Sequence, residues 1–537
     1  MKFQVNYVCL ALTVFAGSAN AVVTLTNVPA ANTKTAGIAA PNTLSPELDM
    51  RLQATGSMKL DGATANTPYY GYTSNGTTAA MVPVLGSVTT PATPKEAFKT
   101  EPDKNTYLVL SGQTGADSAY NYGTHFLFQG HEVGDHGYIT RINLDADGAH
   151  RVTLMADTLP DGAIMPLLDG STWNPFTQKL MFTGEEAATS GANEGVVLEA
   201  STSYPSTVTK LDTVIGHAGW EGIQLASDGS LWLVADQGGV NGTVNTKARQ
   251  PNSFIYRFVP KDTTNLSLGG KLQALQVVNN GNAIVFHTGL ADLDILSQDM
   301  KDLHTYGKKF QTSWVTIHDT DVDGFVAFDA NAAAKTASAT PFKRPENGVF
   351  RPNPNRPFTE FYFTETGDTN NLTQAGSDHG GFGGIFKLSQ TSPSVDKGML
   401  SMVYLGDAAH SGFDNISFLN ASQLLIVEDA GDTLHTQRNA LDSGYVLNPA
   451  LDYSNPSNTP VRFLAEGRDA SATLDSATSG LQQNGDNEIT GIHVSNGDPS
   501  IAGLLGTANP TPFVNGWRVF WTQQHGDNNT WEIVRKR

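Results

Sequence analysis

The sequence predicts an all-β chain folded as a six-bladed β-propeller with large insertions and an N-terminal extension. Three observations carry that expectation. From about residue 105 onward the chain is built of short apolar runs, β-branched and aromatic, each bounded by Gly, Asp or Asn. Six of these runs resemble one another: HFLFQGHE (125–132), KLMFTGEE (179–186), SLWLVADQGG (230–239), EFYFTETGD (360–368), QLLIVEDAGD (423–432) and RVFWTQQHGD (518–527). Most are followed by a second β-like run, as in GYITRINL, GVVLEA, SFIYRFVP and GGIFKL, so the repeating unit is a strand, a polar turn and another strand.

The elements follow in chain order. Residues 1–21 read as a secretion signal peptide: Lys2, an apolar stretch from Val8 to Ala16 broken by Thr13, then Ser18-Ala19-Asn20-Ala21 with small residues ahead of a cut after Ala21. No twin arginine precedes the stretch, which points to a Sec-type signal and a periplasmic or extracellular destination. Cys9 is the one cysteine and leaves with the signal, so the exported chain has no disulfide and no thiolate. Residues 22–104, rich in Thr, Ala, Asn and Pro with little periodicity, read as a low-complexity extension with a few strands at most. Residues 105–537 form the propeller domain, with its largest insertion between Asp236 and Glu365. No later stretch approaches the roughly 20 apolar residues of a membrane span, so no membrane anchor is expected.

Composition narrows the partners. Lys and Arg total 33 against 52 Asp and Glu, a formal charge of −19 in 537 residues. Such a surface repels phosphate backbones and anionic membranes, which argues against nucleic-acid binding. A phosphorylated small molecule would have to be brought in by bound cations, and a carboxylate-rich chain is suited to hold them. Nothing suggests an obligate partner, and a monomer is expected.

The repeat gives that idea a location. Propellers gather equivalent strand ends around one axis, so an acidic residue closing the same strand in each blade would place several carboxylates at one mouth. Asp and Glu at strand ends are ordinarily turn or surface residues; their repetition is what favours a metal site. The adjacent pair Glu185-Glu186 is the most informative, because neighbouring carboxylates repel unless exposed or neutralised by a cation.

Other motifs carry less. Asp319-Thr320-Asp321-Val322-Asp323-Gly324 matches the start of an EF-hand loop, but the twelfth position is Ala330, so a polar turn is expected there. The histidines never stand at HExxH spacing, and there is no GxSxG elbow, P-loop or paired CxxC. The tryptophans sit mostly in strands and read as core.

Seven segments in one order resemble the PhoX-type alkaline phosphatases: GHE at 130–132, the DGSTWNPFTQKLMFTGEE block at 169–186, GHAGWEG at 216–222, FIYRFVP at 254–260, FKRPENG at 342–348, FDNISF at 413–418 and EITGIHVS at 488–495. The resemblance implies a decorated propeller whose central channel holds a calcium-rich, iron-containing cluster. It further implies that Glu132, Glu186, Glu221, Asp236, Glu346 and Glu488 supply carboxylate oxygens to calcium and that Arg344 binds phosphate; the alternative for Arg344 is an ion pair with Glu346. Where the family places an iron-ligating cysteine, this chain reads Asp169, Gly170 and Ser171. Thiolate-ligated iron is thereby excluded, while calcium, or iron held by carboxylates alone, stays open. The expected activity is hydrolysis of small-molecule phosphate monoesters. A calcium-stabilised binding propeller, or a calcium-dependent propeller hydrolase acting on lactones or sugar derivatives, are the alternatives.

Overall fold

The computed structural model describes residues 23–34, 41–73, 98–132, 137–185, 195–369, 378–467, 488–524 and 528–537. The segment read as a signal peptide, with Cys9, lies outside these residues. Within them the chain is mostly strand, in a propeller-like arrangement, with a few short helices.

Twelve strands position the site. In chain order they are β1 (Glu101–Val109), β2 (His125–Glu132), β3 (Leu168–Asn174), β4 (Lys179–Gly184), β5 (Trp220–Leu225), β6 (Leu231–Ala235), β7 (Pro345–Phe350), β8 (Glu360–Glu365), β9 (Phe413–Asn420), β10 (Gln423–Glu428), β11 (Glu488–Ser495) and β12 (Arg518–Gln524). Each odd-numbered strand pairs antiparallel with the even-numbered strand that follows it. The odd-numbered strands also pack against one another in a closed ring, β1 on β3, β3 on β5, β5 on β7, β7 on β9, β9 on β11 and β11 back on β1. The even-numbered strands are the six repeated runs of the sequence, one layer out from the axis.

Further strands extend these pairs into sheets. β1 and β2 begin a four-stranded sheet, and so do β3 and β4. β5 and β6 share a ten-stranded sheet with β7 and β8, joined through the long strand Phe310–Asp319, which pairs with Gly270–Asn279 on one side and Lys397–Leu405 on the other. The insertion foreseen between Asp236 and Glu365 holds that joining strand and the helices Ala291–Ile295, Gln298–Leu303 and Ala330–Thr336. Ser297 caps the second of these, its hydroxyl accepting the Met300 N–H at 3.0 Å.

Two described stretches of the segment before residue 105, set apart in the sequence as an extension, pair into the sheets. Leu48–Ala54 pairs with the C-terminal strand Asn529–Arg535 and completes the four-stranded sheet of β11 and β12. Thr43–Leu44 pairs with Val461–Ala465 at the edge of the β9 and β10 sheet. The two ends of the chain thus cover strand edges that would otherwise be open to pairing with other chains.

Apolar faces between neighbouring sheets form the core. Trp232 on β6 meets Trp314, Phe350 and Phe361 with ring centroids 5.0–5.1 Å apart, contacts that each add about 0.5–1.5 kcal/mol beyond area burial. Trp220 and Trp521 are fully buried as well. Among the described residues no helix is long and apolar enough to cross a membrane.

Candidate metal centre

The ring strands share an irregularity at one end. In each odd-numbered strand an extra residue interrupts the ladder to its even-numbered partner. The interruptions fall between Pro102 and Asn105, between Leu168 and Ser171, between Trp220 and Ile223, between Pro345 and Gly348, between Phe413 and Ile416, and between Ile489 and Gly491. Such a β-bulge breaks alternation and re-aims side chains. Asp103, Asp169, Glu221, Glu346 and Asp414 all sit in these bulges. Four of them precede a glycine or asparagine, and the glycines have a steric reason. A Cβ on Gly170 would stand 2.6 Å from the Glu221 carbonyl, and one on Gly222 2.7 Å from the Asn347 Cα.

The ends of the even-numbered strands add Glu132, Glu185 and Asp236. Seven of these eight carboxylates, all but Asp414, form three linked groups: Asp103 with Glu132 and Asp169; Asp169 with Glu185 and Glu221; Glu221 with Asp236 and Glu346. Within each group an oxygen of every member lies within 4.8 Å of the others. Asp169 and Glu221 each belong to two groups, so the seven carboxylates make one continuous band. Glu221 contacts both Asp169 and Glu185 carboxyl to carboxyl, an approach that requires a proton or a cation between the oxygens.

Burial and mutual repulsion set the electrostatics. Asp103, Glu132, Glu221, Glu346 and Asp414 have pKa values pushed well above the carboxylate range, first by burial and then by neighbouring carboxylates. Burial pushes Asp169 up to about 7. Among the described residues two basic side chains reach the band. Lys104, buried beside Asp103, donates from Nζ to Asn347 Oδ1 at 2.9 Å, and burial brings its pKa down to about 8. Arg344 donates from Nε to Asp236 Oδ2 at 2.6 Å and from Nη1 to Thr369 Oγ1 at 3.3 Å, with Nη2 3.6 Å from Glu346 Oε1. Below Lys104 the channel holds a cavity of about 60 Å³ lined by Ser171, Gln224, Ile416, His493 and Leu504 among others.

The donor set fits a hard cation. Seven carboxylates outnumber two cations, all the donors are oxygen, and Glu132 Oε1 and Asp236 Oδ1 are buried without a hydrogen-bond partner. Calcium takes 6–8 such oxygens.

The sequence-derived residues fall as follows. Glu132, Glu221, Asp236 and Glu346 lie in the band. Glu186 lies outside the described residues, and its neighbour Glu185 occupies the band. Glu488 begins β11 opposite Gln524 and belongs to none of the three groups. Arg344 pairs more closely with Asp236 than with the Glu346 foreseen as its alternative partner. Asp103 and Asp169, which join the band, and Asp414, which stands outside it, were not anticipated. The signal that could have found Asp169 and Asp414 is an acid followed by Gly or Asn at the head of an apolar stretch, as in Asp169-Gly170, Glu221-Gly222, Glu346-Asn347 and Asp414-Asn415; Asp103, followed by Lys104, carries no such mark. His131, inside one matching motif, is a core residue: its Nε2 faces Thr140 Oγ1 at 2.8 Å and its ring stacks on Tyr138. The loop at Asp319 is a polar turn, with Lys271 paired to Asp319 and Lys261 to Asp321.

A family model described as Alkaline phosphatase PhoX matches residues 241–501. Over these residues the chain is similar to the PhoX family. Among solved structures, Pseudomonas fluorescens PhoX in complex with vanadate, a transition state analogue, aligns with a TM-score of 0.52 and 12% identity, over 94% of this chain and 98% of that one. At that identity the likeness shows the fold. A catalytically inactive virginiamycin B lyase from Staphylococcus aureus with quinupristin aligns at TM-score 0.31 and 12% identity over 82% of this chain and 100% of that one, too distant to carry an argument. No curated protein sequence matches the chain. The PhoX match spans Arg344, Glu346 and Asp414; Asp103, Glu132, Asp169, Glu185, Glu221 and Asp236 lie ahead of it.

Proposed function

We propose that this PhoX-like chain is an exported, metal-dependent hydrolase of small-molecule phosphate monoesters. The observation that carries the reading is the junction at Asp236. Its group with Glu221 and Glu346 is spaced to hold a cation, and the same Asp236 fixes the guanidinium of Arg344. A cation-sized carboxylate group beside an oriented arginine is the pairing that phosphoryl transfer uses.

The residues that would hold hard cations are Asp103, Glu132, Asp169, Glu185, Glu221, Asp236 and Glu346, with Glu186 and Glu488 as further ligands expected from the family resemblance. Calcium is the cation this donor set suits best, and iron would be held through carboxylates alone. Bound cations supply Lewis-acid binding of phosphoryl oxygens and offset the negative field of the chain. Arg344 orients the phosphate: its planar fork matches two phosphate oxygens, and Asp236 and Thr369 restrict where the fork points. Lys104 anchors the opposite end of the band, where its ammonium stands among Asp103, Asp169 and Asp414.

We read six blades in the fold by dividing the ten-stranded sheet at Phe310–Asp319, which leaves a four-stranded blade on each side. The propeller then comprises residues 105–537 together with the head of β1 and the edge strands Thr43–Leu44 and Leu48–Ala54. Export follows from the signal-like residues 1–21, and the chain acts as a monomer.

The test is hydrolysis of p-nitrophenyl phosphate at alkaline pH by the mature chain, stripped with chelator and titrated with calcium, with elemental analysis of the starting sample. Activity lost on stripping and restored by calcium supports the reading. Bound calcium without turnover, even after iron is added back, would leave a cation-stabilised binding propeller.

A further inference from the structure

Arg344 adopts a left-handed backbone conformation, φ 57°, which is uncommon for a residue with a side chain and persists where the surroundings over-determine it. The surroundings are the turn that ends β8. The Thr366 N–H donates to the Arg344 carbonyl at 2.8 Å, and the Gly367 N–H donates to the Lys343 carbonyl at 3.1 Å. Both peptides that flank the Arg344 Cα are therefore pinned by one turn.

That turn is itself bolted down on both sides. The Lys343 N–H donates to Glu365 Oε1 at 2.8 Å, and Glu365 Oε2 meets His304 Nε2 at 2.7 Å. The Lys343 ammonium donates to both oxygens of Asp368 at 3.0 Å, with each side chain 1% exposed. Asp368 Oδ1 also accepts the Arg249 N–H at 3.1 Å. Beyond Asp368, Thr369 is again left-handed, φ 43°, and its hydroxyl is the oxygen that receives Arg344 Nη1. A buried ion pair contributes little net stability by itself, and its best-attested use is to specify one arrangement over others.

We infer that the Lys343–Asp368 pair is a positioning device for Arg344. It clamps the Glu365 to Asp368 turn against the lead-in to β7, fixing the peptides on both sides of Arg344 and the threonine that orients its guanidinium. Lys343 and Asp368 act on phosphate through Arg344 and do not touch it. The inference rests on the reading of Arg344 as the phosphate-binding arginine.

The experiment is a double-mutant cycle on the calcium-loaded full-length mature protein. Asp368→Asn and the charge-free combination K343M/D368N are made in the wild-type background and in Arg344→Ala. The probes are inorganic phosphate binding by calorimetry, KM and kcat for p-nitrophenyl phosphate, and calcium content. In the wild-type background the variants weaken phosphate binding and raise KM about ten- to a hundredfold, with kcat less affected and calcium content unchanged. In the Arg344→Ala background they change phosphate binding no further, since the group they position is gone. K343M/D368N leaves no unpaired buried charge and keeps the test open if Asp368→Asn does not fold.

An undiminished effect in the Arg344→Ala background, or phosphate binding at the wild-type level in the charge-free variant, overturns the inference and leaves the functional reading standing. A wild-type protein that binds no phosphate, or an Arg344→Ala protein that binds it as well as wild type, overturns both.

Discussion

The strands β2, β4 and β6 end in the same chemistry as β8 and β10, yet the two sets of carboxylates have opposite fates. Glu132, Glu185 and Asp236 face other carboxylates, and Glu132 Oε1 and Asp236 Oδ1 have no hydrogen-bond partner. Glu428 is saturated, and Glu365 has a partner on each oxygen. Glu365 receives the Lys343 N–H and His304. Glu428 receives Ser411 N–H and Arg438 Nη1 on one oxygen at 2.9 and 3.1 Å, and Ser443 N–H and Arg438 Nη2 on the other at 3.0 and 3.3 Å. An ionised carboxylate has about four acceptor sites. Where backbone amides and a basic side chain fill them, it is a structural joint; where neighbouring acids face it instead, a proton or a cation completes it. Repetition in the sequence marks where carboxylates gather, and the donors around each one decide what it does.

The sharpest way to break this comparison is to remove a shared ligand. Glu221 belongs to two of the three groups, so Glu221→Gln is expected to lose bound calcium and to lower p-nitrophenyl phosphate turnover on the order of 10²–10³-fold. Because the wild-type carboxylate is already crowded by acids, the variant should fold at least as well as wild type in chelator. Full calcium content and turnover in Glu221→Gln, measured by elemental analysis and steady-state kinetics, would remove the band from consideration as the metal centre.

The opposite pattern is expected at a saturated strand end. Glu428→Gln removes one of the two carboxylates that pair with buried Arg438, Asp442 staying at 2.8 Å, a loss of about 1–3 kcal/mol by urea unfolding, while calcium per chain stays at the wild-type value. If Glu428→Gln instead sheds calcium with little loss of stability, the division between the two sets of strand ends is wrong.

A smaller effect sharpens the same division through pH. Asp169 has a folded pKa of about 7, against an unfolded value of about 3.9. Between those values the folded chain holds a proton that the unfolded chain has released, so the Asp169 contribution to stability is present at low pH and falls as pH rises. The slope is at most about 1.4 kcal/mol per pH unit for one group, and it ends near pH 7. In chelator, the stability of wild type relative to Asp169→Asn should therefore decline from pH 4 to pH 7; saturating calcium should cancel the decline, because cation binding favours the ionised form. A relative stability that climbs with pH in chelator would contradict the assigned burial of Asp169.

Much of this fold was legible because strand ends announce themselves. All six repeated runs are the even-numbered strands, and their terminal Glu, Asp or Gln residues stand where the repeat places them. The ring strands were harder. Their acids sit in bulges, where alternation fails, so Asp103, Asp169 and Asp414 fall outside any apolar-polar pattern. Arg344 and Glu346 stood out only as part of a family resemblance, and nothing local shows that Asp236, more than a hundred residues earlier, is the carboxylate that Arg344 meets. Leu48–Ala54 was hidden for a related reason. LDMRLQA is polar enough to read as loop, and its partner Asn529–Arg535 lies at the other end of the chain.

The smallest expected effect tests whether acidic residues near strands matter in general. Asp228 lies in the turn that leads into β6 and accepts the Ser230 N–H at 3.1 Å and its hydroxyl at 2.6 Å. It is thus an aspartate of the kind that turns ordinarily carry, satisfied locally and remote from the band. Asp228→Ala should cost about 1 kcal/mol or less, with calcium content and turnover unchanged. Placed beside Glu221→Gln, it separates the loss of a ligand from the loss of any carboxylate in a chain of net charge −19. If the two variants lose calcium equally, the cation is attracted by the overall negative field and not by the geometry at Glu221.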